Sequence, residues 1–66
     1  MAPDSFPHRI RAARLRAGLT REGLGERVGR SQQTVSLWEL GKTRPTPGTL
    51  VRIARALDIG VSELDA

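Results

Sequence analysis

A glycine followed closely by a Ser or Thr recurs at short intervals along this chain, and this pattern most constrains the fold. Gly18 precedes Thr20, Gly29 precedes Ser31, and Gly41 precedes Thr46. A Ser or Thr oxygen accepts a hydrogen bond from a free N–H at the start of a helix, and Gly adopts the left-handed conformation that commonly ends one. Each interval therefore predicts one short helix.

The predicted fold class is all-α, a compact domain of five short helices. The first begins after a cap at Asp4 or Ser5 and stops at Gly18; the next two cover about 21–28 and 32–39. Thr46-Pro47 starts the fourth, because Pro is favoured in a first helical turn, and a fifth covers about 61–64. Residues 1–5 are predicted to be a flexible tail and residues 6–66 a single domain. The predicted core lies on apolar positions at helical spacing, and the last turn around 61–64 is expected to close it. These positions are Ile10, Ala13, Ala17, Leu24, Val28, Val35, Trp38, Leu50, Ile53, Ala54 and Leu57.

Composition excludes several classes of protein. The chain has no Cys and one His, so it offers neither a disulfide framework nor a thiolate metal site. It also has no apolar run of the roughly 20 residues that span a membrane. No nucleophile–base or paired-carboxylate arrangement has enough surrounding chain to form a pocket. We therefore expect no enzyme activity, no metal and no cofactor.

The net charge of +4 lies entirely in the first half of the chain. Residues 1–30 contain seven Arg and three acidic residues, whereas basic and acidic residues balance in 31–66. Arginine suits phosphate groups and guanine edges because its planar fork donates two parallel hydrogen bonds. An acidic partner is therefore the first to consider, although a positive charge alone is also typical of a merely soluble surface.

The second and third predicted helices form the most informative pair. The three-residue joint between them, 29–31, starts with Gly, which is typical of a helix-turn-helix. Leu24 and Val28 are placed to face Val35 and Trp38, and the small Gly25 falls where the two backbones approach. The glycines at 23 and 25 are each expected to weaken their helix by about 0.5–1 kcal/mol relative to Ala.

These features together resemble the phage repressor and Cro-type helix-turn-helix family, also called the XRE family. No single element is specific, but the ordered set at fixed spacing is, and it extends over nearly the whole chain. The matching residues are Ile10, Arg14, Gly18, Leu19, Thr20, Leu24, Val28, Gly29, Ser31, Gln32, Gln33, Thr34, Val35, Trp38, Glu39, Gly41, Lys42, Thr43, Arg44, Pro45, Ile53, Ala54 and Leu57.

The resemblance implies a lambda-repressor-like domain that binds a specific double-stranded DNA operator and regulates transcription, as a repressor in the leading interpretation. It further implies a cytoplasmic protein of bacterial or phage origin, and a homodimer formed through the region of helices four and five. The third helix would enter the major groove, where Gln32, Gln33, Ser36 and Leu37 take the family's base-reading places. Gln pairs well with adenine. Leu37 departs from the polar residue common at its place, and either contacts a thymine methyl group or is an ordinary surface leucine.

Phosphate contacts are expected from groups close to the duplex backbone. Thr20 and Arg21 start the second helix, where free N–H groups favour an anion, and the family uses the loop after the third helix on the flanking backbone. Arg9 and Arg11 are open to either a phosphate contact or a solvated position, whereas Arg52 and Arg55 are expected to be solvated. The expected phosphate contacts are Thr20, Arg21, Arg30, Ser31, Lys42, Thr43 and Arg44.

Arg14 and Glu39 are interpreted differently, as a structural ion pair. Arg14 falls on the apolar stripe of the first helix and Glu39 at the inward end of the third, and the family commonly pairs these two positions inside the fold. Arg14 is therefore expected to stabilise the domain rather than to bind DNA.

The alternative interpretation is a protein-interaction adaptor or antitoxin that uses the same fold. Its apolar contacts would be Leu37, Leu40, Val51 and the segment 59–61. Leu40 stands where the family usually has a polar residue, and we expect it to pack on the loop 43–45. The apolar residues near helices four and five suit a homodimer interface equally well.

Overall fold

Four α-helices and one 3-10 turn make up residues 5–65, the part of the chain that the computed structural model describes. Residues 1–4 of the predicted tail, Asp4 included, lie outside this part, and Ser5 is the N-cap of the first helix. The helices are α1 (Phe6–Arg16), α2 (Arg21–Val28), α3 (Gln32–Glu39) and α4 (Pro47–Ala56), and the 3-10 turn is Val61–Glu63.

Three of the predicted caps make the expected hydrogen bond, whereas the Ser5 side chain makes no capping hydrogen bond at the start of α1. The hydroxyl oxygens of Thr20, Ser31 and Thr46 accept hydrogen bonds from the backbone N–H three residues later, at 2.9, 3.2 and 3.3 Å. Gly29, the C-cap of α2, has a φ of 74°, in the left-handed region where glycine carries no steric penalty. Capping residue and glycine together limit α2 and α3 to eight residues each.

The core forms where the inner faces of the helices meet. The predicted apolar positions are buried except Ala17, which is exposed because it lies just past the last residue of α1. Leu64 closes the core as expected, and Phe6 joins it. Ile10, Val35 and Ile53, from three different helices, have no exposed surface. Because this core holds the inner face of α3, the outer face of that helix is left for a partner.

The prediction of a fifth helix is wrong, because that segment is a single 3-10 turn. The chain turns away from α4 at Asp58, which has a φ of 57°, and Gly60 precedes the new turn. Only Val61 and Leu64 face the core there; Leu64 is fully buried and Val61 half-buried. These two residues are three apart, so one turn at three residues per turn brings both to the same side.

Candidate nucleic-acid interface

The turn between α2 and α3 depends on a close backbone approach at Gly25. The Arg30 N–H donates to the Gly25 carbonyl oxygen at 2.8 Å. A Cβ atom at position 25 would lie 2.5 Å from the Arg30 carbonyl oxygen, well inside normal contact distance. The absence of a side chain at Gly25 therefore allows the turn to close and sets how α3 leaves α2.

The four expected base-reading residues lie on α3, on or beside its exposed face. Gln32 and Gln33 are exposed in the first turn, Leu37 is 36% exposed, and Ser36 is half-buried. Val35 and Trp38 are buried on the opposite side of the helix. Among the described residues, neither glutamine side chain makes a hydrogen bond, so both amides are available to an external partner.

The residues expected to contact phosphate separate into groups with different surroundings. The Thr20 and Ser31 hydroxyls are occupied as helix caps. Arg30 reaches across to α4, where one η nitrogen lies 3.2 Å from the Thr49 hydroxyl. The other four expected residues lie at the start of α2 and in the loop after α3.

The three expected residues of the loop after α3 are all exposed, but in the described part of the chain only Arg44 among them forms an ion pair with another side chain. Lys42 and Thr43 are exposed, and neither side chain makes a hydrogen bond within residues 5–65. Arg44 instead forms an ion pair with Asp65 and lies over the ring of Phe6, 4.8 Å from its centroid. These contacts hold Arg44 beside α1, and Arg44, Lys42 and Thr43 line the same shallow cleft.

The expected partners Arg14 and Glu39 are in contact, and a third residue joins them. Arg14 donates from Nε to Glu39 Oε2 at 2.6 Å and from Nη2 to Oε1 at 3.2 Å. Arg21 donates from Nε to the same Oε1, also at 3.2 Å. Sequence reasoning missed the contact between Arg21 and Glu39. Nothing in the spacing of these residues indicates it, because the packing of α2 against α3 creates the contact.

Leu40 does not pack as expected. This residue is 63% exposed and lines a groove on the side of α1, beside Pro7, His8 and Arg11. The predicted packing on the loop 43–45 is therefore wrong, and Leu40 adds apolar surface next to α3.

Within residues 5–65, no group of three or more His, Asp or Glu side chains is arranged to bind a metal ion. No helix in the same part of the chain is long and apolar enough to cross a membrane.

Comparison with known proteins decides the family. The family model described as helix-turn-helix matches residues 10–64, which includes all four α-helices except the first turn of α1. The chain belongs to the helix-turn-helix family. A relative from Methanothermobacter thermautotrophicus, an uncharacterized HTH-type transcriptional regulator, is 48% identical over 48 residues, 73% of this chain and 70% of that protein.

Solved structures of this family superpose closely on the chain. The DNA-binding domain of the P22 c2 repressor has a TM-score of 0.90 at 31% identity, covering 97% of this chain and 84% of that one. The same repressor in complex with a synthetic operator gives 0.87 at 31% identity, with 92% of each chain covered. The restriction-modification controller protein C.AhdI from Aeromonas hydrophila gives 0.85 at 32% identity, covering 89% of this chain and 86% of that one.

Proposed function

We propose that this helix-turn-helix protein is a transcriptional repressor that binds a specific double-stranded DNA operator in the cytoplasm. The observation that carries the proposal is the exposed first turn of α3. Gln32 and Gln33 have free side-chain amides there, while Val35 and Trp38 hold the other side of the helix in the core. A similar protein, the P22 c2 repressor, has been solved in complex with operator DNA.

In this proposal α3 enters the major groove. A side-chain amide donates and accepts in the pattern that adenine presents there, and each such pair contributes about 1–3 kcal/mol of discrimination. Ser36 and Leu37 read neighbouring positions. The phosphate contacts come from the N-terminus of α2 (Thr20 and Arg21), the turn (Arg30 and Ser31) and the loop after α3 (Lys42, Thr43 and Arg44).

In-vitro selection from random duplexes, followed by titration of the selected and a scrambled duplex, tests the proposal. Gln32→Ala and Gln33→Ala are each expected to relax the preference at one base position by about 1–3 kcal/mol. Arg21→Ala is expected to weaken binding to all duplexes alike, because a phosphate contact carries no sequence information. Equal affinity for selected and scrambled duplexes would reject specific recognition.

The adaptor alternative rests on exposed apolar side chains. Leu40 and Val51 are exposed, whereas Ile59 and Val61 are half-buried against the core. The same residues on α4 and the 3-10 turn are the proposed homodimer contact. A protein complex that is insensitive to salt, together with no binding to any duplex, would favour the adaptor.

A further inference from the structure

Glu39 is a buried carboxylate that lies between two arginines. Its side chain is 2% exposed, and that of Arg14 is 8% exposed. Arg14 contacts both carboxylate oxygens and also donates from Nη1 to the Leu19 carbonyl oxygen at 2.8 Å. Arg14 therefore neutralises Glu39, and the contact from Arg21 leaves this trio with one surplus positive charge.

Arg21 carries that surplus charge, and its hydrogen bond to Glu39 restrains the orientation of its guanidinium group. Only its Nε is bonded to Glu39, and no other hydrogen bond of Arg21 is found within residues 5–65. Its side chain is 44% exposed. The guanidinium plane is thus held through one atom, and both η nitrogens are left for another acceptor. Arg21 is also the first residue of α2, where the helix dipole favours an anion.

A groove between α1 and α3 lies beside Arg21. It has a volume of about 440 Å³ and is lined by Arg11, Arg21, Ser36, Glu39 and Leu40. Its one carboxylate is already bound by Arg14, and Arg11 makes no hydrogen bond or ion pair in the described part of the chain. Two arginines therefore line the groove. No further acidic residue lines it, so the charge of Arg11 and the surplus charge of the trio are not neutralised there.

We propose that this groove binds one backbone phosphate of the DNA duplex, with Arg21 as the principal ligand and Arg11 as the second. Glu39 is a positioning residue that acts through Arg21. A phosphodiester fits because the arginine fork matches two phosphate oxygens. Ser36 lines the groove and also belongs to the proposed base-reading set, so one duplex can contact both surfaces. This inference rests on the proposed function and adds Arg11 and Glu39 to its binding machinery.

The Glu39→Gln variant tests the inference, because an effect of overall charge and a loss of Arg21 positioning would change the DNA affinity in opposite directions. Removing a negative charge from a DNA-binding protein strengthens binding if only the overall field matters. If Glu39 positions Arg21, the same change weakens binding to the selected duplex, by about tenfold for the loss of one charge-assisted contact. Fluorescence anisotropy at several salt concentrations measures this change, and thermal melting shows what fraction of each variant is folded.

A double-mutant cycle separates positioning from a general structural role. In an Arg21→Ala background, Glu39→Gln is expected to weaken the affinity of the folded protein no further, because the arginine that Glu39 positions is gone. Arg21→Ala and Arg11→Ala should each reduce the slope of log K against log salt concentration by about 0.9. Arg52→Ala is the matched control, because it removes an exposed arginine from α4, outside the groove, and should change the affinity least.

Arg21→Lys keeps the inference testable even if Glu39→Gln does not fold. Lysine preserves the charge but cannot bond Glu39 through Nε while presenting a planar fork, so we expect it to retain the salt slope and still bind about tenfold more weakly. Three outcomes would each overturn the inference. Arg21→Lys could bind DNA as tightly as the natural chain, Glu39→Gln could bind more tightly, or Arg11→Ala could leave the slope of log K against log salt concentration unchanged. If the natural chain bound no selected duplex, the proposed function itself would fail.

Discussion

Gly25 determines the geometry of the turn between α2 and α3, because it has no side chain where the two backbone segments approach. By helix propensity alone, Gly25→Ala should stabilise α2 by about 0.5–1 kcal/mol. The structure overturns that expectation, because the new Cβ would lie 2.5 Å from the Arg30 carbonyl oxygen. Overpacking against a backbone atom costs about 1–3 kcal/mol, so Gly25→Ala is expected to destabilise the domain.

The matched control for Gly25 is Gly48, also within a helix. A Cβ there meets no atom within 4 Å, and Gly48→Ala should stabilise the domain by about 0.4–1 kcal/mol. Urea unfolding of the two variants measures both changes. A Gly25→Ala variant as stable as the natural chain would show that the turn relaxes without cost.

Arg14 is the residue whose loss is expected to affect folding most among the arginines. Arg14→Ala leaves Glu39 buried, with one partly exposed partner, Arg21. Breaking a buried ion pair by removing one partner costs about 3–5 kcal/mol, a large part of the stability of a domain this small. Thermal and urea unfolding check this, with Arg52→Ala as control. Loss of DNA binding with an unchanged melting temperature would instead place Arg14 among the DNA contacts.

At the scale of the helices, local signals predicted the boundaries, and the only long-range ion pair predicted was Arg14–Glu39, which the resemblance to a family implied. The limits of α2 and α3 agree with the sequence because Thr20, Ser31 and Gly29 act within three residues of the ends they determine. The pairing of Arg44 with Asp65 and of Arg21 with Glu39 joins residues far apart in the chain. Such pairs depend on how helices pack, which one-dimensional spacing does not encode. The prediction of a fifth helix was wrong because helical spacing does not show how many residues of the segment contact the core. Only two do, and a single turn is enough to place both there.

The 3-10 turn, though brief, is expected to contribute strongly to stability through Leu64. This side chain has no exposed surface, and Leu64→Ala should destabilise the domain by about 2–5 kcal/mol through lost burial and a cavity. Asp65→Asn is the control on the next residue: its ion pair with Arg44 is about half exposed, and such pairs contribute about 0–1 kcal/mol. Urea unfolding distinguishes the two variants, and equal small effects would mean that the turn is not part of the cooperative core.

The size of the described part of the chain, residues 5–65, limits how much DNA one copy of it can read. Its principal extents are 27 × 23 × 22 Å, less than the roughly 34 Å between half-sites one helical turn apart. The recognition helix α3 has eight residues and is about 12 Å long, so it reaches only a few base pairs. We therefore expect one copy to occupy one half-site, and specific binding at low concentration to require two copies on one duplex.

Half-site spacing tests this requirement. We expect selected operators to contain two inverted half-sites with centres about 34 Å apart. Inserting five base pairs between them turns the half-sites to opposite faces of the duplex and prevents contact between the two proteins. Affinity should then fall by at least about 100-fold, to that of a duplex with one half-site, because the second binding event loses its effective concentration. Anisotropy titrations of the intact, inserted and single-site duplexes measure this. Equal affinity for all three would mean that each copy binds alone, and would remove the reason to assign the apolar surface of α4 and the 3-10 turn to a homodimer.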